Sequence, residues 1–268
     1  MQYNCFDHEI NDGVASVNLH GLDTPPLSEL CDEFLDLMLR LQDDETVRTI
    51  VISDEGNSFD LKPDLEIIAQ EKCEGEGFEI LMPDLEVARK MVTMIQEFAK
   101  PVIAAVQGHV RESGLGLYLA ADIRLASSSA SFTAPDLSRG LLPDWGISYT
   151  LPRLIGPGRM LELLWSHRTI GAEEAARIGL VDRLIEDTAW DDEIATFARQ
   201  LSNLPQPAVQ LTKLAAQQAA QFDLTAMLSY EYEGQQQCWH ARETVEGMAA
   251  FLAGRQPVFA RPTEVEEE

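Results

Sequence analysis

The chain has 268 residues, 45% of them hydrophobic, which is enough to bury the core of one large domain or of a core plus an appendage. Its 20 Lys and Arg stand against 45 Asp and Glu, a formal charge of −25. Such a balance argues against nucleic acid as a partner, because that binding rests on cations neutralising phosphates, and against attraction to anionic membranes.

The N-terminus MQYNCFDHEI lacks a basic region followed by an apolar stretch, and no apolar run approaches the roughly 20 residues of a membrane span. The four cysteines (Cys5, Cys31, Cys73, Cys238) are scattered without metal-ligand spacing, as expected of free thiols in a reducing cytoplasm. Along the chain, Val14–Leu19 and Thr49–Ile52 read as strands flanking a helical pattern at Leu27–Leu41. A turn follows around Asp54-Glu55-Gly56, and the charged stretch Glu71–Gly77 reads as a mobile surface loop. Helical periodicity returns over Leu85–Ala99, then strands at Val102–Val106 and Ile123–Ser127. Strands alternating with helices imply parallel crossovers and an α/β architecture. Between the last two strands, a polar Arg111-Glu112-Ser113 turn leads into a helix opened by Gly114 and Gly116. The unpaired N–H groups of such a helix start can hold an anion or a developing oxyanion. The C-terminal part carries apolar residues at helical spacing (Leu211, Leu214, Ala215; Met248, Phe251, Leu252), read first as an intramolecular core stripe.

Several ordered segments resemble the crotonase (enoyl-CoA hydratase/isomerase) superfamily: DGVASVNLHG at Asp12–Gly21, SFDLKPDLE at Ser58–Glu66, KPVIAAVQGHVRESGLGLYLAADI at Lys100–Ile123, PDLSRGLLPDWG at Pro135–Gly146, the Leu151–Ile185 stretch and EGMAAFLAGRQPVF at Glu246–Phe259. The resemblance implies a crotonase-like spiral of ββα units over residues 1–200 and a C-terminal helical trimerisation region over 201–268. It further implies a homotrimer or dimer of trimers and an acyl-CoA substrate. No bound cofactor is expected; coenzyme A enters as part of the thioester. A polyanionic CoA needs a local basic patch, for which Lys62, Lys100, Arg111 and Arg261 are candidates.

The family's two backbone donors fall, by position, on Ser113, with Gly114 beside it, and on Pro63, which has no N–H. A register shift would move the first donor to Asp64. Losing one such donor costs about 10²–10³ in rate. The position of a hydratase's first glutamate is Gly116, with Glu112 nearby on the turn, and the second matches Asp136. Asp144 stands where dienoyl-CoA isomerases and a chlorobenzoyl-CoA dehalogenase carry an aspartate. Asp136 and Asp144 are the candidate catalytic carboxylates, with Asp136 the principal base; either could instead be a turn or N-cap aspartate. An apolar pocket would raise their pKa values. Lys62, Asp64, His109, Trp145, Phe251 and Phe259 are the candidate substrate-binding residues. For His109 a buried, satisfied histidine is the competing reading, for Trp145 simple packing, and Phe251 and Phe259 could cover a neighbouring subunit's ligand.

The departures at Pro63 and Gly116 weigh against plain hydration, and Asp144 turns the reading toward double-bond isomerisation. The alternatives are a catalytically degenerate acyl-CoA-binding protein, and a C–C hydrolase or lyase acting on a non-CoA β-dicarbonyl compound.

Overall fold

The computed structural model describes residues 3–20, 26–54, 58–61, 65–75 and 77–259, so Lys62, Pro63, Asp64 and Arg261 lie outside the described residues. The chain starts with a hairpin, β1 (Phe6–Asn11) and β2 (Val14–Leu19), closed by Asp12-Gly13 with both residues at positive φ. Helix α1 (Leu27–Asp43) buries Leu30, Phe34, Leu37 and Leu41, one face at helical spacing. Strands β3 (Thr49–Asp54) and β4 (Ser58–Phe59) precede α2 (Leu65–Cys73) and α3 (Met82–Glu97). Glu71–Cys73 therefore close a helix, where a loop was expected through Gly77.

The next coil is β5 (Val102–Val106), β6 (His109–Arg111) and α4 (Glu112–Ala120), and another begins with β7 (Ile123–Ser127) and β8 (Ser131–Thr133). Helices α5 (Ile147–Ile155) and α6 (Pro157–Ser166) follow, then β9 (Thr169–Gly171), α7 (Ala172–Ile178) and β10 (Arg183–Ile185). The chain ends in α8 (Trp190–Ser202), α9 (Gln206–Gln218), α10 (Leu224–Trp239) and α11 (Arg242–Ala253). Helix α8 spans the boundary at 200/201 that the sequence suggests.

Two sheets record how the coils stack. One has the order β1-β2-β3-β5-β7-β10, the other β4-β6-β8-β9. Each successive coil thus adds one strand to each sheet, β3 then β5 then β7 to the first and β4 then β6 then β8 to the second, paired in parallel. That is the spiral of ββα units, and both sheets turn a face to the same core. Helix α4 runs through this core with every residue from Ser113 to Ala120 buried, which its largely apolar sequence, free of charges after Glu112, permits.

The C-terminal helices differ from the expected core stripe. Phe251 and Leu252 are 80% and 84% exposed in the single chain, and Met248, Trp239, Tyr232 and Leu224 also face solvent. No helix of the described residues is long and apolar enough to cross a membrane.

Candidate active site

The site is built where three coils meet around the first turn of α4. The polar turn expected at Arg111–Ser113 is more compact than that: β6 runs through Arg111 and the helix begins at once with Glu112, whose φ is +49°. Ser113 and Gly114 therefore sit in the first helical turn, whose N–H groups have no carbonyl of the same helix to bond and carry the positive end of the helix dipole. The segment expected to lead to the other donor lies alongside. The Ser113 hydroxyl donates to the Leu61 carbonyl, and the Phe59 carbonyl presses so near Gly114 that a Cβ there would lie 2.0 Å from its oxygen. Only glycine tolerates that approach. Arg111 Nε donates to Asp60 Oδ2 at 2.9 Å, fastening the same two segments once more.

The two candidate carboxylates have opposite surroundings. Asp136 Oδ1 accepts the Ser138 N–H at 2.9 Å and caps the short turn Leu137–Arg139. That backbone hydrogen bond, helped by the Ser138 hydroxyl and by the charges of His167 and Arg139, holds its pKa below the ordinary carboxylate value, against the raised value expected. Asp144 lies before α5, whose N-cap is Gly146 with no side-chain cap, and its carboxyl is bonded by its own backbone N–H. Its residue stays open to solvent, yet the protein packed about its carboxyl pushes the pKa up, and the charges of Glu112 and Asp84 push the same way.

Asp144 opens a tight turn in which Trp145 (φ +50°) and Gly146 (φ +72°) are both left-handed, closed by the Ile147 N–H on the Asp144 carbonyl at 3.0 Å. Mirror-image turns of this kind suit Asn and Gly, not a bulky side chain. The strained backbone lays Trp145 over α4. Only 3% exposed, Trp145 belongs to the main core, and a Cβ on Gly116 would meet its Cβ at 2.2 Å and its carbonyl oxygen at 2.7 Å. The packing alternative for Trp145 is the one observed. It also shows why position 116 carries no side chain.

The remaining candidates are placed elsewhere. His109 shares a 2.7 Å hydrogen bond with Thr133 Oγ1, which in turn contacts Thr169 Oγ1 at 2.7 Å, so it joins three strands of the second sheet. Burial, and then the Arg111 charge, lower its pKa and keep it neutral, as for a satisfied histidine. Phe251 and Phe259 border one groove of about 320 Å³ with Met248 and Pro207, at the exposed C-terminal face. Of the proposed basic patch, Lys100 is excluded: its ammonium is buried, donating to the Leu41 and Asp44 carbonyls at 2.5 and 2.7 Å. A cavity of about 730 Å³ lies away from these groups, between the first sheet and α8, walled by Trp190 and floored by Asn18 and Ser53.

Sequence reasoning placed Glu112 on a turn and gave it no role. Its carboxylate is held by Arg139 Nη2 at 2.9 Å, tying the first residue of α4 to the loop that leads to Asp144.

A spiral fold with an amide-lined helix start can be compared with known proteins. The sequence profile described as "Enoyl-CoA hydratase/isomerase" matches residues 9–262. The chain belongs to the enoyl-CoA hydratase/isomerase family. Crotonyl-CoA hydratase of Syntrophomonas wolfei is 33% identical over 229 residues, 85% of this chain and 86% of that protein. A 4-chlorobenzoyl coenzyme A dehalogenase of an Arthrobacter species is 29% identical over 233 residues, 85% of this chain and 84% of its own length. Among solved structures, an enoyl-CoA hydratase/isomerase from Cupriavidus metallidurans superposes with a TM-score of 0.85 at 27% identity, covering 98% of both chains.

Proposed function

We propose that this family member stabilises the enolate of an acyl-CoA thioester and moves a proton across it, shifting a double bond rather than adding water. The observation that carries the proposal is the contrast at the carboxylates: Asp144 has a raised pKa, Asp136 serves a turn, and Trp145 fills the space over Gly116. Hydration needs two carboxylates working on one water. Here the position on the second turn of α4 has no side chain and no room for one.

In this reading the Ser113 and Gly114 N–H groups face the thioester oxygen as it gains charge, where fixed donors in a water-poor site stabilise the transition state most. By sequence position the second donor would fall on Pro63, which has no N–H, or on Asp64; the contacts of Phe59 with Gly114 and of Leu61 with Ser113 bring the residues before them alongside α4. Asp144, whose pKa is raised by the protein packed about its carboxyl, transfers the proton at carbon. Coenzyme A enters as part of the substrate, and the CoA thioesters in the names of the relatives support that class. The apolar faces of α10 and α11, with Phe251 and Phe259 on one groove, support a homotrimer or dimer of trimers in which residues after about 201 pack against neighbours.

The test is incubation with crotonyl-, 3-enoyl- and dienoyl-CoA followed by mass spectrometry and ultraviolet absorbance. The expected product is isobaric with its substrate and changed in conjugation. A dominant product heavier by one water would reject isomerisation. Thermal stabilisation by the thioesters with no conversion of any of them would favour a binding protein without catalysis.

A further inference from the structure

Resting on the acyl-CoA reading above, we propose that Glu112 is the second proton-transfer carboxylate of this site, working opposite Asp144. Four features of the structure converge on it. Glu112 is the first residue of α4 and directly precedes Ser113 and Gly114, so its side chain starts beside the amides that face the thioester oxygen. Its φ of +49° is a conformation glycine adopts freely and a glutamate does not, and non-glycine residues in this region cluster where function requires them. Its carboxylate is aimed and fixed by Arg139, at 2.9 Å, and that arginine sits on the loop between Asp136 and Asp144. Finally, Gly116, one helical turn beyond Glu112, packs against Trp145, the residue after Asp144, and the charge of Glu112 helps to raise the Asp144 pKa, as does that of Asp84 from the start of α3.

The two environments divide the labour. A pair of acids in unlike surroundings separates naturally into a base and an acid. Glu112, with Arg139 as its counter-ion, takes the proton from the carbon next to the thioester carbonyl. The electrons of that C–H bond pass into the new carbon–carbon double bond of the dienolate, whose negative charge rests on the thioester oxygen. Asp144 then gives its proton to the far carbon and the carbonyl re-forms. One proton has left one carbon, one has arrived at another, and the double bond has moved. Glu112 ends protonated and Asp144 ionised, and exchange with solvent resets both.

The decisive measurement is deuterium uptake from D2O into the C2 and C4 positions of crotonyl-CoA, followed by NMR, for the wild type, Glu112→Gln, Glu112→Gly and Glu112→Asp. Glycine suits the positive φ, so Glu112→Gly removes the carboxylate without straining the fold. The wild type is expected to label both carbons. Glu112→Gln and Glu112→Gly should lose labelling at C2 by about 10²-fold or more, with thermal stabilisation by crotonyl-CoA retained. Glu112→Asp should recover part of the rate. Labelling of both carbons by Glu112→Gly within about twofold of the wild type would overturn the role of Glu112 and leave the acyl-CoA reading standing. A wild type that labels neither carbon would overturn that reading, and this inference with it.

Discussion

Asp144 carries a cost in stability that its position reveals. Because the fold raises its pKa, the native state binds that proton more tightly than the unfolded chain does. Stability therefore falls as pH rises from the ordinary aspartate value through the folded one, and at neutral pH the group destabilises. Asp144→Asn should raise the melting temperature at pH 7 while lowering kcat by about 10²–10⁴, measured by differential scanning calorimetry and thioester kinetics. Asp136 has the opposite sign: its lowered pKa stabilises above the ordinary aspartate value, so Asp136→Ala should lower the melting temperature at pH 7 and lose that effect in acid. The two aspartates look alike in sequence; the Ser138 N–H bond lowers one pKa and the packing about the other carboxyl raises it. Trp145 was legible as an aromatic near the site but not as the lid on Gly116, since Asp-Trp-Gly gives no hint that a tryptophan will be left-handed. Gly116→Ala should destabilise by about 1–3 kcal/mol through overpacking, because both the Trp145 Cβ and its carbonyl stand in the way. Exchanging Trp145 for glycine first should relieve only the Cβ part of that clash, since the carbonyl oxygen at 2.7 Å remains, a partial coupling that a double-mutant cycle would read.

At the level of elements, α9 is latched to the core through one buried pair. Lys213 Nζ meets Asp122 Oδ2 at 2.7 Å and also donates to the Ile95 and Lys100 carbonyls, each at 3.3 Å. Gln217 donates to the Gln96 carbonyl beside it. Burial pulls the Lys213 pKa down and pushes the Asp122 pKa up, so each depends on the other to stay charged. Lys213→Met should cost about 3–5 kcal/mol, seen in denaturant unfolding, by leaving Asp122 buried without its partner. The long elements were legible: the strands at Val14–Leu19, Val102–Val106 and Ile123–Ser127 agree with the apolar runs residue for residue. The strands of the second sheet were not. β6, β8 and β9 have three residues each, too few to show a period of two, and their partners lie far away in the chain. The latch was hidden for the same reason, because Lys213 and Asp122 are joined by folding and not by spacing.

For the whole molecule, the charge of −25 predicts self-repulsion in the compact state. Raising NaCl from about 0.05 to about 1 M shrinks the Debye length to about 3 Å, and the melting temperature should rise with it. A melting temperature that falls or stays flat over that range would show that local ion pairs outweigh the general field. The α/β architecture followed from the alternation of strands and helices, whereas the spiral followed only from the family resemblance, because its coils share no sequence repeat. Those coils have a consequence for engineering. On the proposed assignment, Phe59 and Leu61 belong to the coil of β3 and β4, the amides and Glu112 to that of β5 and β6, and Asp144 follows the strand pair β7 and β8. If that assignment holds, three consecutive windings must close before the reaction centre exists, and trimming either end of that triplet should dismantle the chemistry outright, not merely weaken it.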